Sequence, residues 1–387
     1  HADIDISGNV FVKQEHIRAT GEDHGNITAR NVSVTVEAGR RSDIHLENAY
    51  ISQTEMHAEG RINLDGARVE IEAGKGSRIH LDNAYILQRD LHAEGSISAE
   101  DASVLVSAGS DSRIHVDNVY VKQEDIRADG RVDLSGASAA IVGGHEAHIH
   151  ADNVYVKQED IRGASVDLSG ASASIQAGSE SRIHADNVYV KQEDINAEGH
   201  GHRSGSIEAQ NVSVEVEAGR RSDIHLENAY ISQTEMEAER NINLDGASVE
   251  IEAGSHSEIH LDKAYIVQRD LEADRNISAE NASVLVSAGN YGSEIHAEQV
   301  YVKQEDIHAG REVDLSGASA AVRVGRDDGE IRVDTVYVKQ EHITGGSVEL
   351  NGASASVVAG SEGDIDVERN VYVKQEDINA EGHGHRS

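Results

Sequence analysis

Apolar and polar residues alternate in short runs along almost the whole chain. In residues 61 to 77, RINLDGARVEIEAGKGS, the apolar sites are Ile62, Leu64, Ala67, Val69 and Ile71. A period of two places such residues on one face of an extended strand. Breaks such as Asp65-Gly66 and Asp82-Asn83 interrupt the alternation every few residues and mark corners. Residues 78 to 95, RIHLDNAYILQRDLHAEG, follow the same template: Ile-x-Leu-Asp, Gly or Asn, Ala, alternating apolar sites, then Ala-Gly or Ala-x-Gly. Short strands joined by tight corners pair with their own equivalents one unit later, parallel and in register. The pattern therefore predicts an all-β fold, a single-stranded parallel β-helix or β-solenoid. Its elementary unit reads as a coil of 17–18 residues, giving about 22 coils that alternate as a 35-residue pair. At roughly 4.8 Å per parallel strand the rod would span on the order of 100 Å.

Two longer periods lie above this one. The phrase Val-Tyr-Val-Lys-Gln-Glu-Asp-Ile and its variants occur eleven times at intervals of about 35 residues. Ten of the eleven Tyr residues and the only Phe occupy its second position. A fixed period of this kind means stacked units that each touch only their neighbours. Residues 26–204 then recur as residues 205–387, as in Arg40-Arg41-Ser42-Asp43 against Arg220-Arg221-Ser222-Asp223. Residues 1–25 form a partial repeat resembling the end of either block, and the chain reads as beginning and ending inside the pattern. Bare solenoid ends expose strand edges, so end-to-end stacking into a homopolymer, or a longer array, is expected. Residue 1 is His, not Met, which leaves room for a leader or other upstream sequence.

Composition narrows the function. Aromatics make up only 3%, so Ala, Val, Ile and Leu must fill the interior. Pro is absent, as expected where every inner strand needs its N–H for a ladder. With no Cys there is no disulfide and no thiol chemistry. A formal charge of −36 makes nucleic acid and anionic membrane poor partners, and no apolar run suggests membrane insertion.

Four recurrent side chains carry candidate chemistry. The fourth residue from each Ile-x-Leu start is usually acidic, namely Glu47, Asp65, Asp82, Glu100 and Asp117, then Glu227, Asp245, Asp262, Glu280 and Glu298, with Ser135, Ser169 and Ser316 as interruptions. One such carboxylate per coil would form a ladder whose like charges invite bridging Ca²⁺. The alternative is a solvated corner in which Asp or Asn caps its own turn. A His column (His45, His80, His115, His150, His184, His225, His260 and His296) stands two residues before an acidic one. At two coils apart, about 9.6 Å, its members are too distant to share Zn²⁺. Each is expected instead to pair locally with a carboxylate that raises its pKa. His200, His202 and His385 in Gly-rich segments form a weaker metal candidate. Gln recurs in every phrase and its parity turns it inward, where a buried amide needs partners. Tyr50, Tyr85, Tyr120, Tyr155, Tyr189, Tyr230, Tyr265, Tyr301, Tyr337 and Tyr372 have the opposite parity and form an outward stripe for carbohydrate or partner chains.

Every acidic and His position recurs, whereas an active site needs one unique constellation, so no catalysis is expected. Gly246–Gly254 (GASVEIEAG), Ala102–Gly109 (ASVLVSAG) and Ile62–Ala67 (INLDGA) resemble the shaft repeats of filamentous-haemagglutinin-type exoproteins. That resemblance implies a right-handed parallel β-helix, two-partner secretion and an adhesin or toxin-carrying role at a bacterial surface. The sequence thus reads as a non-enzymatic extracellular filament, matrix fibre or adhesin shaft. The alternative is a binding module, for Ca²⁺ along the acidic ladder or cell-surface carbohydrate along the Tyr stripe.

Overall fold

A computed structural model describes residues 3–20, 25–199, 205–325, 328–361 and 363–380. The chain is an all-β parallel solenoid with three sheets of 11, 10 and 10 strands. Each coil contributes one strand to each sheet. In the second coil these are the long strand Asp43–Ala58, the two-residue strand Ile62–Asn63 and the six-residue strand Arg68–Ala73. The next coil repeats them as Arg78–Ala93, Ile97–Ser98 and Ser103–Ala108. Pairing is parallel and in register, as in Tyr50↔Tyr85 and Gln53↔Gln88.

The coil therefore closes once per 35 residues, not once per 17–18, and there are about ten turns where the sequence suggested 22. The two half-units share a template because both alternate apolar residues toward one lumen. They nevertheless occupy different sides of the same turn: Ile79 continues Ile44, whereas Ile62 continues Ile27 and Ile97. Ten strand steps of about 4.8 Å give a rod of about 50 Å, half the length expected.

Left-handed residues turn the corners in three columns. One runs through Glu55, Asp90, Asp125 and Asp160, a second through Asn31, Gly66, Asp101 and Gly136, and a third through Arg41, Gly76, Asp111 and Glu146. Asn, Asp and Gly tolerate this region best. At Gly66 (φ 73°) even a methyl group would meet Asn31 Oδ1 at 2.7 Å. The first column lies inside the long strand, where pairing skips the corner residue: Thr54↔Arg89 is followed by Met56↔Leu91. A second bend at Glu47–Asn48, both turned outward, also breaks the alternation.

The interior has two compartments. The larger packs Ile44, Leu46, Ala49 and Ile51 of the long strand against Val69 and Ile71 of the six-residue strand. The smaller packs Met56 and Ala58 against Ile62 and Leu64. Gln53, fully buried, lies between them in sequence and in space, and its equivalents from Gln88 to Gln340 repeat this in every inner coil. The long strand Arg182–Ala197 pairs with Asp223–Ala238 in the same register as any other neighbours, so the two sequence blocks share one core.

Candidate functional site

Because equivalent residues fall one coil apart, four ladders of identical side chains run along the rod. The Gln ladder is internal, as its parity predicted. Gln158 Nε2 donates to Gln123 Oε1 (2.9 Å) and to the Leu134 carbonyl (3.0 Å), and Gln192 donates likewise to Gln158 (2.8 Å) and Leu168 (3.0 Å). Ladder bonds link consecutive glutamines without interruption from Gln14 to Gln375. Satisfied amides in a low-dielectric interior rigidify it. Here they also bridge the long strand to the end of the short one. On the outside, Asn9, Asn48, Asn83, Asn118, Asn153, Asn187 and Asn228 form a second amide ladder, which stops at Lys263.

The Tyr stripe faces outward and is half-buried. Consecutive rings lie 4.7–5.2 Å apart with interplanar angles of 0–7°, starting from Phe11 stacked on Tyr50. The sequence placed these rings two coils apart; they are in adjacent coils. Each inner ring has both faces covered by its neighbours and presents an edge and a hydroxyl outward, so sugar stacking on those faces is closed. Burial lifts the Tyr155 and Tyr337 phenols to about 12, with help from the charge of Glu124 at Tyr155, and of Tyr372 and Glu305 at Tyr337.

The His column is likewise twice as dense as expected. His80, His115, His150 and His184 stack at 4.8–5.0 Å with angles of 1–5°, not at 9.6 Å. Each has its own-strand carboxylate at 3.7–4.0 Å, too long for a hydrogen bond. The expected rise in His pKa is overturned at His184, which is lowered by burial first and then by His225 and His150, outweighing Asp186 and Glu227. Stacked imidazoles oppose each other's protonation, a contact invisible while they stood two coils apart.

The proposed acidic ladder divides into two columns. Glu47, Asp82, Asp117, Glu227, Asp262 and Glu298 lie at the outer bend of the long strands, beside the His column. Asp65, Glu100, Asp245 and Glu280 lie beyond the short strands, at a different corner. There Asp65 Oδ1 accepts from the Ser98 hydroxyl and the Glu100 N–H (3.2 Å), and Asp245 repeats this with Ser278 (2.6 Å) and Glu280 (2.9 Å). Asp65 and Asp245 therefore cap turns, whereas Glu100 and Glu280 supply their backbone N–H there, and the Glu100 carboxylate accepts from the Ser98 hydroxyl (3.1 Å). Glu100 is raised by burial and then Asp133, and Glu280 by Asp314 and then burial.

The most regular carboxylate column was passed over. It is the first left-handed corner: Glu55, Asp90, Asp125, Asp160, Asp194, Glu235, Asp270, Asp306 and Asp377, with His16 and His342 in the same row. Its signal was the second acidic residue of the Glu-Asp-Ile phrase, at the point where alternation fails. Asp160 is raised by burial and the charges of Asp125 and Asp194. His342 lies in the row between Asp306 (3.2 Å) and Asp377 (3.4 Å), and His16 lies beside Glu55 (2.9 Å). The neighbouring Glu row is paired with lysines two residues before, as in Lys122–Glu124 (2.6 Å) and Lys157–Glu159. Oxygens of Glu124, Glu159 and Asp160 lie within 4.8 Å of one another, as do those of Glu159, Glu193 and Asp194. His200, His202 and His385 lie outside the described residues.

No family model, curated protein or solved structure matches the chain. No helix is long and apolar enough to cross a membrane among the described residues.

Proposed function

We propose that this chain is a non-enzymatic structural rod: part of a secreted extracellular filament, matrix fibre or adhesin shaft of a microbe. The observation that carries this reading is the unbroken in-register ladder. Coil after coil places Gln on Gln, Tyr on Tyr and His on His, so stability comes from nearest-neighbour interfaces that can be extended without limit. Chemistry-bearing residues recur from turn to turn, as His80 on His45 and His115 on His80. The resemblance to filamentous-haemagglutinin-type shafts points the same way and rests on the repeat residues alone.

Axial self-association belongs to this reading. The end strands Asp3–Ala19 and Asp364–Ala380 have 17 residues where the other long strands have 16, and each carries the extra residue at the same bend.

Small-angle scattering and negative-stain microscopy, with Ca²⁺ and then with chelator, test the proposal. Rigid rods about 50 Å long, or fibres that are multiples of this, are the expected result. A flexible or globular particle would overturn it. Fibres that dissolve in chelator would give the carboxylate columns a bridging role.

A further inference from the structure

The His column does not keep one geometry along the rod. From His80 to His225 it is a nearly flat stack, entered from His45 at 29°, but His225 and His260 are tilted by 37° at 6.0 Å, and His260 and His296 meet edge to face (62°) at 4.9 Å. The three imidazoles line a groove of about 340 Å³ with Arg332 and with Asp262 and Glu298, which follow His260 and His296 by two residues. His296 Nε2 is buried there with no hydrogen-bond partner. A buried ring nitrogen without a partner calls for an explanation such as an ion. Glu258 Oε1 lies 2.6 Å from His260 Nε2, an outer carboxylate of the kind that fixes the tautomer of a ligating imidazole. Arg332, which takes the next place in the column, is paired with Glu330 at 2.5 Å.

We infer that this groove is a binding site for one divalent transition-metal ion of the Zn²⁺, Cu²⁺ or Ni²⁺ class, held by His260, His296, Asp262 and Glu298, with His225 alongside. Two neutral imidazoles and two carboxylates balance the charge of such an ion, and imidazole nitrogen favours this class over Ca²⁺. Stacked parallel rings send their lone pairs past one another, so a shared ion near 2 Å from both needs rings that converge. Only this stretch of the column, among the described residues, shows such angles. The ligand atoms of these side chains are not yet gathered within 4.8 Å of one another, so a four-coordinate site would require the side chains to rotate over the ladder beneath them.

The test is Zn²⁺ calorimetry and Cu²⁺ electron paramagnetic resonance on the full chain. His200→Asn, His202→Asn, His383→Asn and His385→Asn are combined first to remove the Gly-rich segments as competitors. One saturable ion per chain with nitrogen hyperfine structure is expected. Adding His260→Asn and His296→Asn should weaken binding about 100-fold, whereas His80→Asn with His115→Asn in the flat stack should change it less than about twofold. Circular dichroism checks that each variant is folded. Loss of all saturable binding in the starting variant, or equal weakening by the two His pairs, would overturn the site and leave the rod reading untouched.

Discussion

Gln158 donates to Gln123 at 2.9 Å through the centre of the coil, and this bond is repeated along the whole rod. Its importance lies in where it sits. It divides the lumen into two apolar compartments and uses the second amide hydrogen to hold the short strand's end through Leu134.

Replacing Gln158 by Met keeps the volume and removes the bonds. The Gln123 oxygen, the Leu134 carbonyl and the Gln192 amide each lose a buried partner. At about 1–3 kcal/mol per unsatisfied group, local stability should fall by at least about 3 kcal/mol. Hydrogen exchange of the adjoining coils should report it, because opening in a repeat array is local. Unchanged protection there would mean that the ladder contributes nothing.

Coil size is open to a direct deletion test. Removing residues 114–148 joins Arg113 to Ile149, an exchange of equivalent positions one coil apart. The product should fold as a rod one turn shorter with the same circular dichroism per residue. Deleting 17 residues from the same point should unfold the region, since it turns the Gln ladder out of register.

The Tyr stripe makes stability sensitive to alkali. Burial raises Tyr155 to about 12, above its ordinary value of 10.0. A group raised in the folded state contributes stability that is complete below the unfolded pKa and is lost as pH rises through the folded one. Urea midpoints should therefore be unaffected by the stripe up to pH 10 and fall between about 10 and 12. Ultraviolet titration should show the inner phenols of the stripe ionising only above pH 10, with Tyr120, Tyr189, Tyr230 and Tyr301 held higher still by burial. Ordinary ionisation near 10 of the inner phenols from Tyr120 to Tyr337 in the folded protein would contradict the stacked geometry.

At the first corner, Asp160 has φ 54° and is raised by burial and like-charged neighbours. Asp160→Asn keeps a residue suited to the left-handed region and removes a repelling charge. A gain of about 0.5 kcal/mol in low salt, shrinking in high salt, is expected. Asp160→Val puts a β-branched residue in that conformation and should cost about 1–2 kcal/mol. Chemical denaturation of the pair checks both, and equal stability of Asn and Val variants would refute the corner assignment.

How far these features could be read from sequence depended on range. Alternation at Ile62, Leu64, Val69 and Ile71 determined strands with one buried face, and the recurring phrase determined parallel pairing in register. The inward Gln and outward Tyr followed from parity alone, because side chains of a strand can only alternate. Which half-unit stacks on which was decided by the tertiary structure. Residues 61–77 and 78–95 look alike locally, and only closure of the lumen sets them on different sides of one turn. From that single difference came the halved spacing of the His and Tyr columns, the lowered His184 and the split acidic ladder. The corner at Asp160 was hidden for the same reason. A left-handed residue within a continuous strand leaves no mark on composition, and its neighbours 4.8 Å away are 35 residues distant in the chain.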